Sequence, residues 1–335
     1  NMEKKGAIEI QFNWILIIFV GATIILIFIG FISKQQGILQ TSANILTAGT
    51  LDAILNSYDD ADISDLVKIL KSKINFNCDS FSVDGISKQL ETLSLFSPAY
   101  LETDKLHILS FEWNMPYRIT NFVYITSPDV RYIFIGNSDF AREIFEKVRG
   151  KARADGFTNV QAVQNENDRW VRLIFFGQNP EMPESLNGLD LSISALKIDG
   201  DKNSGALEFF EFINGKFEPR GKSYYVKEAP LLGAVFSDDI SIYNCNMEKG
   251  FDKLKIISHI HNKRVNSIMD QYGAVEEDEV CKDFYQSNLL AISDSVSYLA
   301  SSDFQSSNHK DITYAANKIE EINNEANALS CVLIY

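Results

Sequence analysis

The sequence predicts an α+β protein with an N-terminal transmembrane helix and stalk, a mixed-sheet α/β head and a C-terminal antiparallel helical bundle. Three patterns point there: an uncharged apolar run near the N-terminus, short apolar runs punctuated by turn residues in the middle, and amphipathic stripes at the end. The expected boundaries are 1–33 for the anchor, 34–104 for the stalk, 105–237 for the head and 238–335 for the bundle.

The anchor is the run from Trp14 to Ile32, with nothing more polar than Thr23. At the helical rise it covers ~28 Å, about one hydrocarbon core. Trp14 suits an interfacial aromatic belt, and the lipid bilayer is the expected partner of residues 14–32. Lys4 and Lys5 precede the run and only Lys34 closely follows it, which favours a cytoplasmic N-terminus with residues 34–335 outside. The run exceeds the ~7–15 apolar residues of a cleaved signal, so an uncleaved, single-pass signal anchor is expected.

Residues 35–57 read as a stalk helix through Leu39, Ala43, Leu46 and Ala53. Asp62 or Ser64 would cap a short helix bearing Leu66, Val67, Ile69 and Leu70, and a second, roughly 84–95, would hold Ile86, Leu90 and Leu93. From about residue 105 strands take over. Leu106–Phe111, Phe122–Ile125 and Tyr132–Ile135 precede a helix that Asn137, Ser138 and Asp139 open; Val171–Phe176, Asp190–Ile198, Leu207–Ile213 and Lys216–Val226 follow. Asn214-Gly215 is a type I′ hairpin signal, and Gly233–Phe236 reads as a last short strand. Three helical stripes end the chain. Phe251, Leu254, His261, Val265, Ile268 and Tyr272 form the first; Cys281, Tyr285, Leu289, Ile292, Val296 and Leu299 the second; Ile312, Ala315, Ile319, Ile322, Ala326 and Leu329 the third.

Forty-five acidic against thirty-one basic residues give a net charge of −14, which argues against nucleic acid as a partner. Of the four cysteines, Cys78, Cys245 and Cys331 have polar neighbours, and an even count in such settings suits disulfides in an oxidising compartment. Four reduced thiols in a cytoplasmic domain are the competing reading. Cys245–Cys281 is the favoured pair, each cysteine opening one of two adjacent helices, and this leaves Cys78–Cys331.

No strong catalytic motif is present: no G-x-S-x-G, Walker loop, H-E-x-x-H or G-x-G-x-x-G. His259 and His261 are two apart and would diverge on a helix, His107 lies in a strand and His309 in a loop, so a zinc site is not expected. Asp199, Asp201 and Asn203 alternate as in a calcium loop, although Ser204 and Phe210 hold the positions where an EF-hand needs Gly and Glu. A plain hairpin turn explains the same residues. Calcium there is the one cofactor candidate. Ile135–Asp139 could offer amides to an anion, against the simpler role of a helix cap. Trp113, Tyr117, Tyr224 and Tyr225 are candidates for a protein interface, against the usual fate of aromatics in a core.

Lys4-Lys5-Gly6-Ala7-Ile8-Glu9 and the apolar run behind them resemble the leader of archaeal type IV prepilins. The resemblance implies cleavage after Gly6 and an apolar helix that packs a filament core. Beyond these about thirty residues, the chain resembles one-span archaeal membrane proteins that imply no activity. The expected function is therefore that of a membrane-anchored extracytoplasmic cell-surface protein, non-enzymatic, that mediates protein–protein interaction or self-assembly. A pilin-like filament subunit is the alternative, and a membrane-tethered enzyme the second alternative.

Overall fold

The structure, a computed structural model, describes residues 19–29, 42–57, 64–90, 92–156, 170–186, 191–274 and 279–335. Residues 19–29 (α1) and 42–57 (α2) are helical. Among the described residues no helix is long and apolar enough to cross a membrane, so the transmembrane helix of the expected fold class is not present among them. Trp14 and Ile32, and the prepilin-like leader, lie outside the described residues.

The stalk is corrected as well. Helix α2 buries Ala48, Leu51 and Leu55 in the main core. The two short helices expected after it are instead strands β1 (Ser64–Phe76), β2 (Ser80–Val83) and β3 (Ile86–Gln89). Asp84 and Gly85 both take positive φ, 47° and 88°, and turn β2 into β3 as an Asp-Gly hairpin. Ser72, Ile74 and Phe76 alternate inward along β1, a period-2 signal that outweighs the helix-like spacing of its first half.

Two six-stranded mixed sheets replace the single head sheet. The first has the order β3-β2-β1-β5-β6-β4, where β4 is Leu95–Phe96, β5 Tyr100–Asn114 and β6 Arg118–Thr126; only β4 and β6 pair parallel. The second has the order β12-β11-β10-β9-β7-β8. Its strands are β7 (Val130–Ile135), β8 (Arg153–Gly156), β9 (Trp170–Phe176), β10 (Ser192–Gly200), β11 (Ser204–Ile213) and β12 (Lys216–Val226). Strands β8, β7, β9 and β10 are parallel, and β10–β11–β12 continue as antiparallel hairpins, the second turning at Asn214-Gly215. Helix α3 (Asp139–Arg149) links β7 to β8, and its N-cap Ser138 accepts from the Ala141 amide at 3.1 Å.

The expected strand at Gly233–Phe236 is the end of helix α4 (Glu228–Phe236). Every residue from Ala229 to Phe236 is buried, since α4 packs on β4, β5 and β6 of one sheet and β12 of the other. A helix apolar on all faces has no amphipathic period to betray it. Gly233 lets it approach: a Cβ there would lie 2.8 Å from the Phe96 ring. Helices α5 (Ile240–Ala274), α6 (Glu279–Ser301) and α7 (His309–Ala328) pack in sequence, α5 on α6 and α6 on α7, and α7 also covers β11 and β12. They bury Phe251, Leu254, Val265, Val296, Leu299, Ile312 and Ile319 in the main core. A smaller core of Ile133, Val171, Leu173, Phe175 and Ile193 lies on the opposite face of the second sheet, covered by Leu186.

Both cysteine pairs are bonded, but not in the favoured pairing. Cys78 joins Cys245 and Cys281 joins Cys331, with Cα separations of 5.9 and 5.5 Å. Cys245 sits near the start of α5 and Cys281 follows its far end, so roughly 44 Å of helix separates them. The first bond ties the β1–β2 loop to α5; the second ties α6 to the C-terminal tail. That tail is further held by Asn323, whose Oδ1 accepts the Ile334 amide at 2.8 Å, and by Arg264, which donates to the Leu333 carbonyl at 3.1 Å.

Candidate ligand cavity and open strand edge

A cavity of about 480 Å³ opens where the parallel strands of the second sheet begin. Two rungs of that sheet form its floor. Val130, Trp170 and Ser192 lie side by side in register, and Tyr132, Arg172, Ser194 and Glu211 form the next rung on the same face. The corner between α4 and α5 supplies Phe236, Asp238, Asp239 and Ile240, and the β4–β5 link adds Pro98 and Ala99. Aromatic and aliphatic walls with a few charged groups, at this volume, are the general make-up of a small-ligand site.

Arg172 is the unusual residue. It lies within an otherwise apolar strand, is 2 % exposed, and donates through Nη2 to the carbonyls of Ala234 (3.0 Å) and Ser237 (2.5 Å). Those carbonyls end α4, where a cation meets the negative pole of the helix. Its Nε has no hydrogen-bond partner. Burial brings the guanidinium down to about 10, opposed by the nearby charge of Asp238. Asp238 Oδ1 accepts from the Ala99 amide at 2.8 Å, and burial raises its carboxyl above the usual range despite that bond and Arg172. Asp239 caps α5 by accepting the Ser241 amide at 2.7 Å. At the rim Arg220 donates through Nε to Glu211 at 2.7 Å. Burial also raises the Tyr132 phenol, whose oxygen lies 2.7 Å from the Thr126 hydroxyl.

The second feature is a strand flank. β1 pairs with β5 on one side, but on the other it meets β2 only from Ile74 to Phe76. Among the described residues, Ser64–Lys71 have no strand on that flank, and Leu66 and Leu70 are 50 % and 58 % exposed.

The residues singled out in the sequence are used differently. Trp113 and Tyr225 are fully buried, Tyr117 is buried and Tyr224 half-buried, so these four do not form the expected interface. The Trp113 indole donates to the Val226 carbonyl at 3.1 Å and the Tyr224 hydroxyl to the Phe304 carbonyl at 2.7 Å, so even their polar ends have internal partners. Asp201 and Asn203 lie in the β10–β11 turn and Asp199 in the end of β10, paired with Ala206. Asp201 Oδ1 accepts the Asn203 amide at 2.7 Å, while Asp199 pairs with Lys197 at 3.2 Å. Among the described residues the group with metal-ligand spacing is Cys78, Asp79 and Cys245, whose two sulfurs are bonded to each other. None of the four histidines lines the cavity.

Arg172 and Asp238 are not among the residues that the sequence motifs single out. The signal was present: one arginine interrupts each of two apolar strand runs, Arg131 in β7 and Arg172 in β9, and both are buried. A cation there needs internal partners, and Arg131 finds Asp155 at 2.5 Å. No protein-family model matches the chain, and no curated protein and no solved structure matches it either.

Proposed function

We propose that this protein is an extracytoplasmic, non-enzymatic binding module that engages another protein, or a further copy of itself, by strand addition. The observation that carries this reading is that, among the described residues, no strand pairs with Ser64–Lys71 on the outer flank of β1, with Leu66 and Leu70 exposed beside it. An open strand edge offers unpaired amides and carbonyls, and proteins generally cover or blunt such edges unless they use them. The two internal disulfides support a site of action in an oxidising compartment. The cavity's charged groups hold a helix end, cap a helix or pair at the rim, which favours binding over catalysis.

The test is light scattering on the disulfide-intact chain, with co-purification of proteins from its own envelope. Leu66→Lys with Leu70→Lys should abolish assembly or capture and leave the melting temperature within a few degrees. A strictly monomeric chain that captures nothing, or a double variant that behaves as the parent does, refutes the reading.

A further inference from the structure

Leu66, Lys68 and Leu70 lie on one face of β1, since Val67 and Ile69 between them pack against the main core. In register, Lys68 stands directly opposite Lys105 of β5. Side chains so placed start roughly 5 Å apart, and like charges there repel. Lys71 has a carboxylate within reach, Glu102 at 3.7 Å, but among the described residues neither Lys68 nor Lys105 forms an ion pair. A cationic pair flanked by exposed leucines stands out on a chain whose net charge is −14. A strand added on the outer flank of β1 would extend the row Lys105–Lys68 by one residue of its own. The residues two before and two after that one would lie beside Leu66 and Leu70. Because Leu66-x-Lys68-x-Leu70 reads alike in both directions, its complement is the same for a parallel and an antiparallel partner. The β1–β5 register shifts between Lys68 and Ser72, so the regular stretch, and with it the partner segment, is short. We propose that the partner of this edge is an extended protein segment with apolar, acidic and apolar residues at alternate positions, its carboxylate on Lys68 and Lys105. The proposal rests on the strand-edge reading and names the chemistry of the partner that the edge takes.

Fluorescence anisotropy on the full, disulfide-intact chain tests it at low salt with a pair of labelled heptapeptides, Thr-Leu-Thr-Glu-Thr-Leu-Thr and its counterpart with Lys for Glu. The Glu peptide should bind at least about 5-fold more tightly, because it adds an opposite charge to the row where its counterpart adds a like one. Added salt should narrow that gap. Lys68→Glu removes the repulsion from Lys105 and so keeps the fold; it should reverse the preference with no fall in melting temperature. Equal binding of the two peptides, or a preference that Lys68→Glu leaves unchanged, overturns the acidic partner and leaves strand addition standing. No binding of either peptide at millimolar concentration also overturns the proposal, and light scattering then decides the strand-edge reading separately. So does capture on phosphatidylserine vesicles without binding of the Glu peptide, which would assign the lysines to a lipid surface.

Discussion

His107, His261 and His309 are each held below the ordinary imidazole value, in every case chiefly by burial. For His261 the contact of Nδ1 with the Ile334 carbonyl at 3.2 Å partly offsets that burial. A base with a lowered folded pKa binds fewer protons folded than unfolded, so its contribution is intact above the unfolded value near 6.5 and is lost as pH falls below it. Asp238 works in the opposite sense. Its raised pKa means that ionising it with rising pH removes stability, in the range above the ordinary carboxylate value. Thermal melts should therefore show the melting temperature dropping between pH 7 and pH 5, before ordinary carboxylates titrate. His261→Gln should flatten part of that slope; an unchanged profile in this variant would mean that His261 does not feel its burial.

Among the elements, α4 depends most on close packing, because it is sealed between the two sheets. Gly233→Ala sets two effects against each other. Alanine favours a helix interior by about 1 kcal/mol, while its Cβ would fall 2.8 Å from the Phe96 ring, an overpacking that costs ~1–3 kcal/mol. Phe96 is fully buried against Phe122, Tyr124 and Tyr243, with ring centroids 5.1–5.7 Å away, so it has little room to yield. Overpacking should win. Urea unfolding should show Gly233→Ala less stable by up to about 2 kcal/mol, and a stabilised variant would show that the ring moves freely.

For the molecule as a whole, the disulfides join segments far apart in the chain. Cys281–Cys331 spans a separation of 50 residues and Cys78–Cys245 one of 167. In the chain-entropy account these are worth ~4 and ~5 kcal/mol respectively, comparable with the net stability of many domains. Non-reducing peptide mapping should recover these two pairs and no other. Cys281→Ser with Cys331→Ser should lower stability by about 4 kcal/mol and release the tail that Asn323 and Arg264 hold. Recovery of a Cys245–Cys281 bridge would refute the packing of α5 on α6 given above.

The sequence by itself determined the elements whose signals are local. The Asn214-Gly215 hairpin, the Ser138 cap of α3 and the helical stripes through Val265, Val296 and Ile319 rest on turn chemistry, capping and a 3.6-residue period, none of which needs a distant partner. Only the tertiary structure decided the rest. Short apolar runs do not distinguish a buried helix from a buried strand, so Gly233–Phe236 at the end of α4 has the local pattern of a strand, and the first half of β1 that of a helix. Disulfide partners are chosen by which distant segments pack together, and the 35-residue length of α5 sets Cys245 and Cys281 apart although they seem neighbours in the chain's order. The cavity is more remote still from the sequence. Tyr132, Arg172, Ser194 and Glu211 meet only because β7, β9, β10 and β11 pair in one register, and Asp238 joins them only because α4 turns into α5 above that rung. Such a site is made by pairing between strands distant in the chain, which no local pattern of residues encodes.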